Sequence, residues 1–330
     1  MGNKKIKVNL NNVMQKVRED NSLTISKLSK LHKEFLDDKS LEGLAPRTLR
    51  DYKQHFKYFN QYVQYAYRTN IDRIVVDEKI LKDYLKYMVN EKKYSPFTVN
   101  VRLRTLRTFF KWLKDQKYTK ENFALKIKLM KVPMDSVTLL SDLEIKKLLN
   151  SCDLSTYAGF RDFSLIITIL DCGIRIGEAS QLKIDDINLS NKLIKVRAEI
   201  AKTREERQIP ISHKTTKLLK ELISIAKQMQ CEYVFQSTYG GKIKENNLSL
   251  SLKRLGEKAG IKKRCTGYVF RHIFATNCVK NGMNLFSIQR IMGHTIVQTT
   301  RRYVQLDTTD LQKQHKKYNI IDKYLQEDRG

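Results

Sequence analysis

Apolar residues recur at helical spacing through the first part of the chain. One stripe follows Pro46 at intervals of three, four, three and four residues: Leu49, Tyr52, Phe56, Phe59 and Val63. Such a stripe is typical of an amphipathic helix with one face in a core. Asp77 is an N-cap candidate for a second helix, and Ser95-Pro96 has the N-cap and first-turn residues of a third. The pattern predicts a helical domain over residues 22–130, after a polar lead of residues 1–21.

A second domain is predicted after a basic segment that contains a proline. Residues 131–138 are interpreted as the linker. The segment Ser141-Asp142-Leu143-Glu144 has the residues of a capping box and precedes a new apolar run. We therefore expect a second domain over residues 139–310. Residues 311–330 form a polar tail with the pattern of a helix.

The second domain combines helices with a few strand signals. Residues 163–170 are an apolar run that periodicity alone cannot assign to a helix or a strand. Three other segments have the alternation or composition of short strands: residues 193–200, 208–211 and 233–235. The rest of the domain after Ser212 has a helical pattern. The expected fold class is mainly α with a small antiparallel β-sheet.

The charge balance indicates a polyanionic partner. The 330 residues contain 63 Lys and Arg against 35 Asp and Glu, a formal net charge of +28. Nucleic acid and an acidic membrane surface both fit this excess. The strongest apolar run, residues 163–170, is far shorter than the roughly 18 residues of a membrane span, and no signal peptide is visible, so no membrane partner is expected. Five cysteines without a Cys-x-x-Cys pair favour a reducing cytosol over a disulfide framework.

One predicted helix has a cationic face. Arg104, Arg107, Lys111 and Lys114 are spaced three, four and three residues apart, so their side chains share one side of the helix. A solvated surface is the ordinary interpretation of such a face. The lack of acidic partners on it favours a surface that follows DNA phosphates.

The sequence offers weak support for metal- or nucleotide-dependent chemistry. Asp185-Asp186 is the best acidic cluster, but it has no further ligand at suitable spacing, and we interpret it as a turn. No Gly-x-x-x-x-Gly-Lys loop is present. We therefore predict no metal and no cofactor, and DNA chemistry would need fixed cations and a side-chain nucleophile.

Three segments contain such groups. Arg175 lies at a predicted helix start, with Glu178 three residues on to orient it. Tyr268 and Arg271 share a helix face by their spacing. Gly293-His294 is followed nine residues later by Tyr303, which Arg301 and Arg302 precede. Taken singly, these residues have ordinary interpretations as a surface cation, a half-buried tyrosine, a core aromatic or a helix C-cap.

Together these segments resemble the tyrosine recombinase family, the phage-integrase and Xer-like enzymes of DNA strand exchange. The resemblance rests on residues 266–276, on residues 288–294 followed by 298–303, and on Lys202 ahead of Arg207-Gln208-Ile209-Pro210. Residues 22–133 are similar to the family's helical core-binding domain, including the segment Ala45-Pro46-Arg47-Thr48. The resemblance implies a two-domain, C-shaped DNA clamp with a SAM-like first domain.

The resemblance also implies a mechanism and site residues. Tyr303 would attack the scissile phosphate to form a 3′-phosphotyrosyl bond, Arg175 and Arg271 would clamp the phosphate, and Lys202 would be the general acid. His294 would bind the phosphate or assist Tyr303. The expected DNA-contacting residues are Arg47, Thr48, Arg104, Arg107, Lys111, Lys114 and Arg204.

The resemblance implies a double-stranded DNA recombination site as the partner. A homotetramer would hold two such sites, with the tail of residues 311–330 docked on a neighbouring protomer, and the reaction would pass through a Holliday junction. A role in a mobile element or plasmid, as an integrase or resolvase, and a bacterial cytoplasmic location at the nucleoid are expected. Accessory proteins are compatible with this scheme.

One position departs from the family pattern. The family usually has His-x-x-Arg, whereas this chain has Tyr268 ahead of Arg271. A phenol with a pKa near 10 mainly donates a hydrogen bond, so its part in deprotonating the nucleophile is open. A DNA-binding protein of the same fold that has lost cleavage is therefore an alternative function. A type IB topoisomerase, which uses similar chemistry without strand exchange, is a more distant one.

Overall fold

The computed structural model describes residues 22–67, 74–132 and 137–294, together with Gln312 and residues 315–317. The chain divides into two compact units, one within residues 1–135 and the other within residues 136–330. Most of the described residues are helical, and the described strands form a single three-stranded sheet. The expected fold class, mainly α with a small antiparallel sheet, is confirmed.

The described part of the first unit contains four α-helices. They are α1 (Ile25–Leu41), α2 (Pro46–Ala66), α3 (Glu78–Lys86), which continues into a π-helical turn at Tyr87–Glu91, and α4 (Pro96–Asp115). A short 3₁₀ helix follows at Phe123–Leu125. The predicted N-caps are confirmed: Asp77 accepts a hydrogen bond from the backbone N–H of Ile80, and Ser95 accepts one from Thr98. These caps satisfy backbone donors that a helix leaves unpaired at its first turn.

Aromatic rings dominate the core of the first unit. The apolar stripe of α2 buries Phe56, Phe59 and Val63, while Leu49 and Tyr52 at its start are only half-buried. Trp112 of α4 packs at the edge of this core and donates an indole N–H to Asp38 of α1 at 2.9 Å. Because the indole proton has a partner, the ring can be buried without a desolvated donor.

His32 lies inside this aromatic core. Its ring stacks on Phe56 at 4.0 Å between centroids and meets Phe109 edge-on at 5.0 Å. Among the residues that the structure describes, its Nε2 has no hydrogen-bond partner. Burial lowers the pKa of His32 from 6.5 to about 4, because the core solvates an imidazolium poorly.

The first unit should therefore lose stability in acid. A folded-state pKa below the unfolded value means that the contribution of neutral His32 is complete above pH 6.5 and is lost as the pH falls toward 4. A fall of the pKa from 6.5 to about 4 corresponds to about 3 kcal/mol in the free energy of unfolding. We expect His32→Phe to remove that part of the acid destabilisation. The fluorescence of Trp112, the only tryptophan in the chain, measures the unfolding of this unit. Equal pH slopes in both proteins would contradict the assignment.

The second unit contains seven described α-helices. They are α5 (Asp142–Asn150), α6 (Tyr157–Cys172), α7 (Ile176–Ala179), α8 (His213–Gln228), α9 (Glu245–Lys258), α10 (Gly267–Lys280) and α11 (Leu285–Met292). The capping box of Ser141 and Glu144 at the start of α5 is confirmed. The ambiguous apolar run of residues 163–170 lies inside α6, whose buried side chains form part of the core together with α10.

The sheet is smaller than the sequence predicted. Strands β1 (Ile187–Asn188), β2 (Leu193–Val196) and β3 (Arg207–Pro210) pair antiparallel in that order, with Val196 opposite Arg207. The strand predicted over residues 193–200 ends early because the chain turns after Arg197, where the backbone N–H of Ala201 bonds to the carbonyl of Arg197.

The prediction of a strand at residues 233–235 was wrong. This segment contacts its neighbour through one isolated bridge between Lys183 and Tyr233 and two flanking backbone hydrogen bonds. Val234 and Phe235 are buried, so their apolar character reflects packing into the core and not membership of the sheet.

No helix in the described part of the chain is long and apolar enough to cross a membrane. The five cysteines are all free thiols, and four of them are buried.

Candidate active site

Arg175 lies at the start of α7, directly after the end of α6. Gly173 ends α6 in the left-handed region at φ +63°, where a side chain would also collide with the ring of Phe274. Two residues later, Arg175 donates its backbone N–H to Glu178 at 3.0 Å and its Nη1 to the same carboxylate at 2.9 Å. The predicted orientation of Arg175 by Glu178 is therefore present in the structure.

Glu178 is shared by two arginines. Its side chain is 2% exposed and also accepts Nη1 and Nη2 of Arg207, at 3.1 and 2.6 Å. Burial by itself would raise the pKa of Glu178, but the hydrogen bonds and charges of Arg207 and Arg175 outweigh it and lower the pKa. The carboxylate is thus ionised at neutral pH and holds both guanidinium groups.

Arg271 comes from the first half of α10 and is buried. Its guanidinium donates to the backbone carbonyls of Gly173 and Met292 and lies 2.9 Å from Nε2 of His294. One side chain therefore connects the end of α6, the end of α11 and the histidine. The planar fork of arginine suits such a set of acceptors, which a single ammonium group could not meet in the same geometry.

His294 follows the glycine that ends α11. Gly293 is left-handed at φ +60°, and its carbonyl accepts Nη2 of Arg175 at 2.8 Å. Burial and the charges of Arg271, Arg175 and Arg207 lower the pKa of His294 to about 4. The imidazole is neutral at pH 7. Because a guanidinium can only donate, Nε2 accepts from Arg271 and the ring proton is on Nδ1.

Three predicted residues from distant parts of the sequence therefore come together, and we call Arg175, Arg271 and His294 the arginine–histidine cluster. Glu178 orients Arg175 of this cluster through two hydrogen bonds. Two guanidinium groups beside a neutral imidazole can donate hydrogen bonds to an anion with several oxygens, such as a phosphodiester.

Other predicted residues lie outside these contacts. Lys202 and Arg204 are exposed in the connection between β2 and β3. They precede Arg207 by five and three residues in the sequence. Tyr268 is in the first turn of α10 and 54% exposed, so it is not a core aromatic; its ring meets that of His272 edge-on at 6.1 Å. Tyr303 lies outside the described residues, as does most of the predicted tail.

Asp186, which we interpreted as part of a turn, is in a 3₁₀ turn and accepts Nε of Arg197 at 2.8 Å. In the described ranges, no group of three or more His, Cys, Asp and Glu side chains is placed to hold a metal ion.

The cationic face of α4 is smaller than expected. Arg104, Lys111 and Lys114 are exposed, but Arg107 is half-buried and donates to the backbone carbonyls of Ala124 and Ile127. The expectation that four cations form one solvent-facing surface is corrected, because Arg107 anchors the segment after α4. In α2, Arg47 is exposed and Thr48 half-buried in the first turn.

The sequence analysis did not single out Arg207 as a site residue. It is 8% exposed, at an inward position of β3, where the pattern of buried and exposed residues alternates. A charged residue at an inward strand position is a signal of a buried ion pair. That signal was available, but its partner Glu178 is 29 residues away in the chain.

A helical unit followed by a mixed unit that carries two arginines and a histidine in one cluster matches the class of DNA strand-exchange enzymes that the sequence resembles. The phage integrase family model matches residues 139–310, and the model of the phage integrase N-terminal SAM-like domain matches residues 31–120. The first match alone covers more than half of the chain. The chain belongs to the phage integrase family, the tyrosine recombinases.

Individual relatives agree with this assignment. The tyrosine recombinase XerD of Listeria innocua is 27% identical over 284 residues, which cover 84% of this chain and 94% of that protein. XerD of Staphylococcus epidermidis is 25% identical over 292 residues, 87% of this chain and 97% of its own.

Solved structures share the fold. The Tn1549 transposon integrase in complex with transposon right end DNA aligns with a TM-score of 0.70 at 18% identity, over 88% of this chain and 99% of that one. The XerH site-specific recombinase bound to difH substrate aligns with a TM-score of 0.64 at 23% identity, over 95% and 90%.

Proposed function

We propose that this protein is a site-specific DNA recombinase that cuts and rejoins DNA through a covalent protein–DNA intermediate. The observation that carries the proposal is the arginine–histidine cluster, in which residues 96 positions apart in sequence, Arg175 and Arg271, converge on His294 and the carbonyl of Gly293. Family membership and the excess of positive charge support DNA as the substrate.

Tyr303 is the proposed nucleophile. Its phenolic oxygen forms a bond to the scissile phosphorus and loses its proton to solvent, while the bond from phosphorus to the 5′-oxygen breaks and that oxygen takes up a proton from the general acid. The product is a 3′-phosphotyrosyl ester and a free 5′-hydroxyl. Rejoining is the reverse reaction with a 5′-hydroxyl of the same or another strand, and it needs no ATP because the ester conserves the phosphodiester bond energy.

The cluster would stabilise the negative charge that develops on the phosphate oxygens. Arg175 and Arg271 are held by protein acceptors before any substrate binds, so little reorganisation is needed during the reaction. Neutral His294 would donate a hydrogen bond to the phosphate. Because its ring is uncharged, it would not repel the two guanidinium groups. Lys202 is the proposed general acid that protonates the leaving 5′-oxygen, since its exposed loop leads directly into β3 and Arg207.

The DNA-contacting surface is proposed to include Arg47, Thr48, Arg104, Lys111, Lys114 and Arg204. We further propose a homotetramer on two DNA sites, a Holliday junction intermediate, and a role in a mobile element or plasmid. The bacterial cytoplasm, at the nucleoid, stays the predicted location.

Covalent capture tests the proposal. The full chain is incubated with DNA duplexes that carry a nick inside a randomised sequence. After cleavage, the short fragment with the 5′-hydroxyl diffuses away, and the covalent ester can no longer be reversed. We expect SDS-stable adducts enriched in one sequence. Specific binding without adducts would favour the DNA-binding alternative. Relaxation of a plasmid that carries the captured sequence, without junction or recombinant products, would favour a topoisomerase.

Tyr268 should contribute moderately to cleavage. Its exposed phenol at the first turn of α10 is placed to donate one hydrogen bond on the helix face that it shares with Arg271. We expect Tyr268→Phe to slow adduct formation about tenfold, as the loss of one neutral donor predicts. Tyr268→His should retain the wild-type rate or exceed it, and an unchanged rate in Tyr268→Phe would remove Tyr268 from the site. The measurement is the single-turnover rate on a captured duplex.

A further inference from the structure

Arg207 is a buried cation that bonds to Glu178 and to the end of α11, next to the arginine–histidine cluster. Its guanidinium donates Nη1 and Nη2 to Glu178 and Nε to the backbone carbonyl of Ile291 at 2.9 Å. All of its nitrogen atoms thus have protein acceptors. Glu178 in turn binds Arg175, and Ile291 is in the last turn of α11, just before His294.

The end of α11 is fitted closely to this guanidinium. A Cβ atom added to Gly293 would lie 3.0 Å from Cζ, Nε and Nη1 of Arg207. The absent side chain at residue 293 therefore lets the backbone of the turn approach the guanidinium group closely. The carbonyl of the same glycine accepts Nη2 of Arg175 at 2.8 Å, and that of Met292 accepts Arg271, so three arginines hold the turn through consecutive carbonyls.

The charges around Glu178 also link Arg207 to Arg175. Glu178 is buried between two cations, and the hydrogen bond from Arg207 is the largest effect that offsets the cost of burying its carboxylate. Without Arg207, the buried carboxylate would face Arg175 alone. Arg175 would then be drawn into a closer ion pair, and less of its positive charge would be available to a phosphate.

We propose that Arg207 is a positioning residue for DNA cleavage, a role that rests on the proposed function. It sets the distance between Arg175 and His294 by joining the carboxylate that orients the arginine to the turn that carries the histidine. It does so from strand β3, whose preceding loop contains Lys202, so the same residue also fixes the base of the loop that holds the proposed general acid.

The test compares Arg207→Met with a matched control. Met keeps an unbranched apolar side chain but removes the charge and the donors. Arg161→Met is the control: Arg161 is 5% exposed in the same unit, and it pairs with Asp162 at 2.7 Å and with the carbonyl of Gln236 at 3.2 Å. Both variants lose a buried ion pair and a carbonyl contact, but only Arg207 contacts the cluster's support.

Arg207→Met is expected to slow single-turnover adduct formation on a captured duplex about 100-fold, the effect of a misplacement of about 1 Å. Its affinity for that duplex should stay within threefold of wild type. Arg161→Met should show a similar fall in unfolding temperature and a wild-type cleavage rate. A wild-type rate in Arg207→Met, or an equal loss in both variants, would overturn the proposal.

A double-mutant cycle separates positioning through Glu178 from an independent effect. If Arg207 acts through Glu178, Glu178→Gln with Arg207→Met is expected to be no more than threefold slower than the slower single variant. Multiplication of the two separate losses would contradict this. Should Arg207→Met fail to fold, Arg207→Lys serves in its place, since it keeps the charge but cannot donate along three fixed directions. We expect Arg207→Lys to be about tenfold slower than wild type, and a wild-type rate would count against the proposal.

The two proposals can fail separately. If the wild-type chain forms no adduct on any duplex, the recombinase function is wrong, and inorganic phosphate becomes the probe. The imidazole nitrogen resonances of His294, assigned with His294→Gln, are followed as phosphate is added. Arg207→Met should weaken phosphate binding at least tenfold relative to Arg161→Met. Equal affinities would show that Arg207 does not position the cluster.

Discussion

Tyr303→Phe is expected to form no covalent adduct with duplexes that the wild-type chain captures, while it binds them with unchanged affinity. Phenylalanine lacks the oxygen that would become esterified to the DNA strand, and it keeps the aromatic ring. The loss should therefore be complete for chemistry and small for binding. Denaturing gels with labelled duplex measure the adduct, and gel shifts under native conditions measure the affinity.

Another tyrosine provides the control for this variant. Tyr239 is 97% exposed in the same unit, and Tyr239→Phe removes a phenol of equal reactivity in free solution. We expect it to cleave at the wild-type rate. Adduct formation by Tyr303→Phe would show that another residue is the nucleophile, and mass spectrometry of the digested adduct would then identify it.

Arg175→Ala should reduce the single-turnover rate of adduct formation by about 10²–10³, the usual loss for one donor to a developing oxyanion. Arg175 is 23% exposed, and its guanidinium is already oriented by Glu178 and by the carbonyl of Gly293. Its charge acts most strongly when the phosphate gains negative charge, so the rate should fall far more than the affinity for DNA.

Arg197→Ala is the matched control for this variant. Arg197 is 27% exposed in the same unit and pairs with buried Asp186 at 2.8 Å, much as Arg175 pairs with Glu178. The control should lose comparable stability and keep the wild-type rate of cleavage. If both variants cleaved equally slowly, the effect would come from a general loss of structure and the role of Arg175 would be contradicted.

Helix positions were accessible from sequence because their determinants are local. The stripe that ends at Val63, the cap at Asp77 and the capping box at Ser141 depend on residues within one or two turns, and all three occur in the structure. Strands were less accessible. The segment around Val234 has a strand-like composition, but whether it joins a sheet depends on a neighbour about 50 residues away in the chain, at Lys183.

The candidate site likewise has features that depend on local sequence and features that depend on the fold. The types and order of Arg175, Glu178, Arg271 and His294 are local motifs, and the sequence by itself determined them along with the family, the helical character and the excess of positive charge. Their convergence agrees with that prediction, but its form depends on carbonyls at helix ends, such as those of Gly173 and Met292, which no side-chain pattern reveals.

Only the tertiary structure decided which cations face solvent and which are used inside the protein. The sequence pattern assigns Arg104 and Arg107 to the same cationic face of α4. In the structure, Arg104 is exposed, whereas Arg107 donates hydrogen bonds to two backbone carbonyls. Arg207 similarly looks like one charge among several in a basic loop until Glu178 is found beside it. The physical reason is that the burial of a charge depends on acceptors brought from elsewhere in the chain, and the three-dimensional fold alone places them.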